Sequence, residues 1–191
     1  MNIFYIHPDA KICAQQHLSK HVNKMVIEYA QLMSTAHRVL DGEVYTELSK
    51  NGRRIKRWRL DDMREPALMK ASHINHPSAI WCRDNNQNYQ YLFTLWLHLL
   101  DEFKYRYGKE HACSRLIPLL MHNPKNINCG EFYPPNPAMP SELKIVSDDP
   151  KPGRKYDVLK SYRNYYNEAK RAFASWRGPV NSRPTPEWYK Q

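Results

Sequence analysis

Four side chains able to do chemistry recur along one stretch of this sequence: His17, His21, Lys24 and Glu28, all within residues 9–40. On a helix turning about 100° per residue they fall within roughly 60° of one another. An imidazole can exchange a proton near neutrality, and a carboxylate can act as base or orient a neighbour. A lysine whose amine is desolvated can act as nucleophile. The stripe therefore reads as a candidate catalytic site, with Lys24 as nucleophile or electrostatic stabiliser, His17 or His21 as acid/base, and Glu28 as base or orienting group. The plainer reading is structural: edge-of-core histidines each making one hydrogen bond, beside an i,i+4 ion pair. Lys24 precedes Glu28, the weaker order for such a pair, so helix stabilisation alone explains it poorly.

The element that must hold these groups is a long helix over 9–40. Its apolar residues Leu18, Val22, Met25, Tyr29, Leu32, Met33, Ala36 and Leu40 recur at three and four. Pro8 and Asp9 mark its start and Asp41-Gly42 its stop. A second long helix is expected over 78–107, capped by Ser78, with Trp81, Tyr89, Leu92, Trp96, Leu99, Phe103 and Tyr107 on one face. Asn85 lies in that stripe and Asn88 at its edge. A buried amide needs partners, so each is either hydrogen-bonded or completes the wall of a cleft beside the first helix.

Between the helices, residues 43–60 read as a β-hairpin about Asn51-Gly52. Pairing Lys50 with Arg53 brings Leu48 opposite Ile55, Tyr45 opposite Trp58 and Glu47 opposite Lys56. The return strand carries Arg53, Arg54, Lys56, Arg57 and Arg59 around Trp58, which suits phosphate contact. A third helix is expected over 109–121, bent or ended near Pro118, and a last one over 155–177 with Lys160, Arg163, Lys170 and Arg171 outside. Residues 123–152 hold seven prolines and should be mainly irregular. The expected fold class is mainly α: a compact single-domain helical fold over 1–191 with two long helices, a C-terminal helix and one basic hairpin.

Charge points to a polyanionic partner. The 29 Lys+Arg against 19 Asp+Glu give +10, and DNA is the expected partner. The 12% aromatic content excludes a disordered basic tail. Cys13, Cys82, Cys113 and Cys129 show no C-x-x-C spacing, and the first residues do not read as a targeting segment. Reduced thiols and a cytoplasmic location are the expectation. No apolar run reaches the roughly 20 residues that span a bilayer, so no membrane partner is expected. His17 and His21 at i,i+4 could hold zinc with Glu28 or a remote histidine as third ligand. The spacing lacks the intervening glutamate of metalloproteases, so neither a metal nor a cofactor is assigned. No Gly-rich phosphate loop, nucleophile elbow or kinase motif occurs, which argues against dinucleotide, P-loop and serine-hydrolase chemistry.

M-N-I-F-Y at 1–5, H-L-S-K-H-V-N-K-M-V-I-E-Y-A-Q-L-M-S-T-A-H-R-V-L-D-G at 17–42, N-H-P-S-A-I-W at 75–81 and Y-R-N-Y-Y at 162–166 resemble a family of proteins of large tailed phages. That family brings no established activity. A more distant likeness is to the phage pyrimidine-dimer DNA glycosylases. It rests on Gln16-His17-Leu18 opening a long helix, a second aromatic helix, and the closing Arg183-Pro184-Thr185 and Trp188-Tyr189-Lys190. The likeness implies a compact, basic, helical DNA enzyme acting on a flipped nucleotide. Those enzymes use an N-terminal amine, exposed by removal of the initiator Met before a small residue, and a glutamate on the first long helix. Here Asn2 is too bulky for efficient removal, and Lys24 stands where the glutamate would be. His17 matches their helix histidine, and Glu28 is the nearest carboxylate. Imine chemistry would then fall to Lys24, or less favourably Lys20. Three function classes follow: a glycosylase-like or base-modifying DNA enzyme, a non-catalytic nucleic-acid- or protein-binding phage factor, and a His-ligated metal enzyme.

Overall fold

In the computed structural model, which describes residues 1–190, the chain forms six α-helices and two two-stranded antiparallel sheets. In order these are α1 (Ala10–Gln16), α2 (Ser19–Asp41), β1 (Glu43–Leu48), β2 (Arg54–Arg59), α3 (Pro77–Asp84), α4 (Asn86–Tyr107), α5 (Ile117–Leu120), β3 (Ile145–Lys151), β4 (Arg154–Asp157) and α6 (Val158–Ala169). With 46% helix and 12% strand, the expected mainly α class is corrected to a mixed architecture of helices and small sheets. The unforeseen sheet is β3–β4, turning at Pro152-Gly153, where Gly153 adopts φ +72°. It takes residues expected to be irregular or to open the last helix, which begins only at Val158.

Each expected long helix is two helices. The first breaks at His17 and Leu18, whose ψ values of 137° and 147° are extended. Local propensity is overridden by distant chain. The Ser19 N–H donates to the Ser175 carbonyl at 2.7 Å, and the Ser19 hydroxyl donates to the Arg177 carbonyl at 2.8 Å. The second breaks at Asn85, which caps α4 by accepting the Asn88 N–H at 2.9 Å. The expected third helix shrinks to a 3-10 turn at Ala112–Leu116 followed by the four residues of α5.

α2 and α4 form the centre, joined by a hydrogen bond from the Trp96 indole to the Val26 carbonyl at 2.8 Å. Val22, Met25, Tyr29, Leu32, Met33 and Ala36 of α2 are buried, as their spacing predicts, and so are Trp81, Tyr89, Leu92, Trp96, Leu99 and Phe103 of α3 and α4. The extended segment Ile3–Ile6 runs through the core between these helices and α6 and is also buried. A group of charges is also buried in the core. Arg106, with a fully buried side chain, pairs with Glu102 at 2.6 Å, and Arg183 reaches the same carboxylate at 3.0 Å.

Candidate nucleic-acid interface

The β1–β2 hairpin is fixed to the end of α2 by one side chain, Arg38. All five of its N–H donors are used: Nε on the Met69 carbonyl, Nη1 on the Trp58 carbonyl and Glu65 Oε2, and Nη2 on the Glu65 and Leu68 carbonyls, at 2.6–3.0 Å. A second anchor lies alongside. Arg64 pairs with Asp41 and Asp62 and donates from Nη1 to His37 Nδ1 at 2.8 Å. Because a guanidinium only donates, Nδ1 of His37 is the acceptor and Nε2 carries the proton. That proton goes to the Tyr89 hydroxyl at 2.8 Å, which donates in turn to the Leu120 carbonyl at 2.9 Å.

The register differs by one residue from the pairing expected of a two-residue Asn-Gly turn. Tyr45 faces Arg57, Val44 faces Trp58, Thr46 faces Lys56 and Leu48 faces Arg54. The loop has three residues, Lys50–Gly52, between Ser49 and Arg53, which pair through the Ser49 N–H at 2.8 Å. Gly52 occupies the left-handed position at φ +72°, and the Ser49 hydroxyl accepts the Arg53 N–H at 3.0 Å. This register sorts the charges onto two faces. Arg57 and Arg59 share their face with Glu43, Tyr45 and Glu47. Arg57 is paired with Glu47 at 2.7 Å, and Arg59 lies 5.0 Å from the centre of the Tyr45 ring. Arg54 and Lys56 share the opposite face with Val44, Leu48 and Trp58, and no carboxylate stands on that face. Among the described residues, Lys50, Arg53, Arg54 and Lys56 are exposed and have no ion-pair partner. Trp58 is half-buried at the hairpin root rather than displayed among them.

The other expected cations divide. Arg163 points inward: its Nε donates to the Ile6 carbonyl at 3.0 Å and its guanidinium lies 5.3 Å from the Trp188 ring, a correction to its place on an outer face. Lys170 lies over the Tyr165 ring at 4.5 Å, and Arg171 is exposed in a 3-10 turn just after α6.

The stripe His17, His21, Lys24 and Glu28 does not form one pocket. The helix break takes His17 off the face of α2. Its Nδ1 donates to the Cys13 carbonyl at 2.7 Å, so Nε2 must accept from the Tyr29 hydroxyl at 3.2 Å, and both nitrogens are occupied. His21 is buried, stacked on Phe4 at 4.2 Å, with Nδ1 bonded to the Tyr166 hydroxyl at 2.8 Å. Burial pushes the His17 pKa down to about 4. Burial, with His17, Lys170 and Lys24 nearby, pushes that of His21 down to about 3. Lys24 and Glu28 lie outside this pair as an ion pair at 3.4 Å, with Lys24 exposed and Glu28 half-buried. The missed neighbour of Glu28 is His76. Burial, the amino group of Met1 and His73 disfavour its charge, while Glu28 favours it. The N-H-P-S run could have pointed to it, but it reads first as a helix start, and His76 Nδ1 does cap α3 by accepting the Ser78 N–H at 3.1 Å.

Asn85 and Asn88 hold a loop in place rather than lining a cleft. Asn88, fully buried, donates to the Trp81 carbonyl at 3.2 Å and accepts the Tyr133 N–H at 3.2 Å. Asn85 donates to the Glu131 carbonyl at 3.3 Å, and Gly130 sits so close that a Cβ there would lie 2.8 Å from the Asn85 Cβ.

Among the described residues no group of three or more His, Cys, Asp or Glu could hold a metal ion, so the zinc reading of His17 and His21 has no ligand set. No helix among them is long and apolar enough to cross a membrane. Comparison with known proteins finds no match to a family model, to a curated protein or to a solved structure.

Proposed function

We propose that the protein binds duplex DNA through the β1–β2 hairpin, laying the Lys50, Arg53, Arg54 and Lys56 edge against phosphates. The observation that carries this reading is the set of four exposed cations occupied by neither a carboxylate nor an aromatic ring, on a hairpin whose root is clamped by Arg38. Like charges this dense repel one another in the free protein, and phosphates relieve that repulsion while releasing counterions. A two-stranded ribbon fits the major groove. Single-strand stacking has less support, because Tyr45 is covered by Arg59 and Trp58 is half-buried at the root. A glycosylase-like or base-modifying activity also has less support, because His17 has no free ring nitrogen and His21 is buried against Phe4.

The test is the salt dependence of duplex binding. Changing Lys50, Arg53, Arg54 and Lys56 together to Gln should lower affinity and reduce the log–log salt slope by roughly 3–4, about 0.9 per lost phosphate contact. Changing Arg57 and Arg59 to Gln should alter the slope by less than about one unit, since Glu47 and Tyr45 already occupy them. No binding by the wild type at low salt, or an unchanged slope in the fourfold variant, overturns the proposal.

A further inference from the structure

A groove of about 710 Å³ opens between the β3–β4 hairpin and the proline-rich loop before it. Its shape follows from a large bulge. Val146 pairs with Tyr156 and Lys151 with Arg154, so the four residues Ser147–Pro150 stand opposite the single residue Lys155. Excess residues on one strand bend it away from its partner, and here the bend makes the concave side of the groove. Pro134 and Pro137 form the facing wall, with backbone torsions fixed by their rings.

Four cations line this groove, Lys144, Lys151, Arg154 and Lys155, and among the described residues none has a carboxylate within ion-pair distance. Two acids share the lining, Asp149 and Asp157, so cations outnumber carboxylates there by four to two, and Asp157 is already engaged by Lys160. Lys160 pairs with Asp148 at 2.8 Å and with Asp157 at 3.6 Å, and Asp157 also caps α6 by accepting the Lys160 N–H at 2.9 Å. Three of the cations are set over aromatic rings. Arg154 lies 4.2 Å from the Tyr133 centroid, and Lys144 and Lys155 lie 5.2 and 5.7 Å from that of Tyr156. A cation resting on a ring gives up water on that side and keeps its remaining donors for an anion. A base stacking where these cations lie would have to displace them.

We propose that this groove is a phosphate-binding site, taking the phosphates of a free nucleotide or of a nucleic-acid strand without reading the base. An arginine fork beside flexible ammonium groups matches adjacent phosphate oxygens. The site shares no residue with the β1–β2 hairpin, so it stands or falls independently of the duplex-binding reading.

The test uses the full chain at low salt with three probes: inorganic pyrophosphate, dTTP, and a labelled oligo-dT. Pyrophosphate and dTTP should bind with affinities within a few-fold of each other. Lys151→Gln/Arg154→Gln/Lys155→Gln should weaken both about tenfold or more, since charge-assisted bonds are lost. The hairpin variant at Lys50, Arg53, Arg54 and Lys56 should leave them unchanged. Oligo-dT displaced by pyrophosphate marks a strand as the source, and binding of the small probes without oligo-dT marks a free nucleotide. Lys155→Gln alone, at an exposed position, carries the test if the triple variant is unstable. The proposal is overturned if no probe binds, if the groove variants bind as the wild type does, or if polyglutamate competes as well as pyrophosphate.

Discussion

Arg38→Ala should lower the stability of the protein by roughly 3 kcal/mol, because each buried carbonyl left without its donor costs about 1–3 kcal/mol, while the Glu65 carboxylate, 40% exposed, regains water. The side chain is only 4% exposed, and its loss leaves the carbonyls of Trp58, Glu65, Leu68 and Met69 without their donor. Those four carbonyls belong to the end of β2 and the loop after it, so the damage falls on the hairpin root. Arg38→Lys should recover little, because an ammonium has three donors and no planar fork to span carbonyls on several sides. Urea unfolding should show a lower midpoint with an unchanged slope, and the amides of β1 and β2 should exchange faster than those of α4. Duplex affinity should also fall, although no cation of the binding edge has been touched. An Arg38→Lys protein as stable as the wild type would show that the clamp does not hold the hairpin.

What could be read from the sequence was what repeats locally. The three-and-four spacing of Val22, Met25, Tyr29 and Leu32, and of Leu92, Trp96 and Leu99, records one buried helix face, and those side chains are buried. What could not be read was decided by distant chain. The break before Ser19 depends on carbonyls at 175 and 177, and the break at Asn85 on the loop through Gly130. Separating His17 from α2 removed the angular argument that joined it to Lys24 and Glu28. Lys151-Pro152-Gly153-Arg154 carried a turn signal, but the bulged residues Ser147–Pro150 hide any strand alternation before it. Arg38, Arg64, Glu102 and Arg106 look like an ordinary polar face in sequence, because nothing local distinguishes a solvated charge from one whose partners are buried with it. The hairpin's position was legible from Asn51-Gly52, but its register was not. A two-residue and a three-residue loop both place that glycine at positive φ, and the Ser49 contacts select the longer one.

Those buried partners set the acid limit of the fold. Burial pushes the His17 pKa down to about 4 and that of His21 to about 3, in the latter case with His17, Lys170 and Lys24 adding to it. His37 is pushed down to about 4 by burial and by Arg64, against the opposing pull of Asp41 and Asp62. The unfolded chain titrates these imidazoles near their ordinary value of about 6.5, so between that pH and about 4 it binds protons that the folded protein refuses. Stability is therefore full above pH 6.5 and falls as the pH drops through the window, by up to about 1.4 kcal/mol per pH unit for each histidine. At pH 5.5 the three together cost about 4 kcal/mol, a drop in Tm on the order of 10 °C for a chain of this size. The ring signals of His17, His21 and His37 should stay fixed by NMR from pH 7.5 to 5. His37→Gln should reduce the proton uptake on unfolding by up to one proton, whatever it does to the absolute Tm. A Tm that holds steady between pH 7 and 5.5, or His17 and His21 signals that move with a midpoint near 6.5, would mean these rings meet solvent and are not the pins that hold the helix break to Tyr29 and α2 to Phe4 and Tyr166.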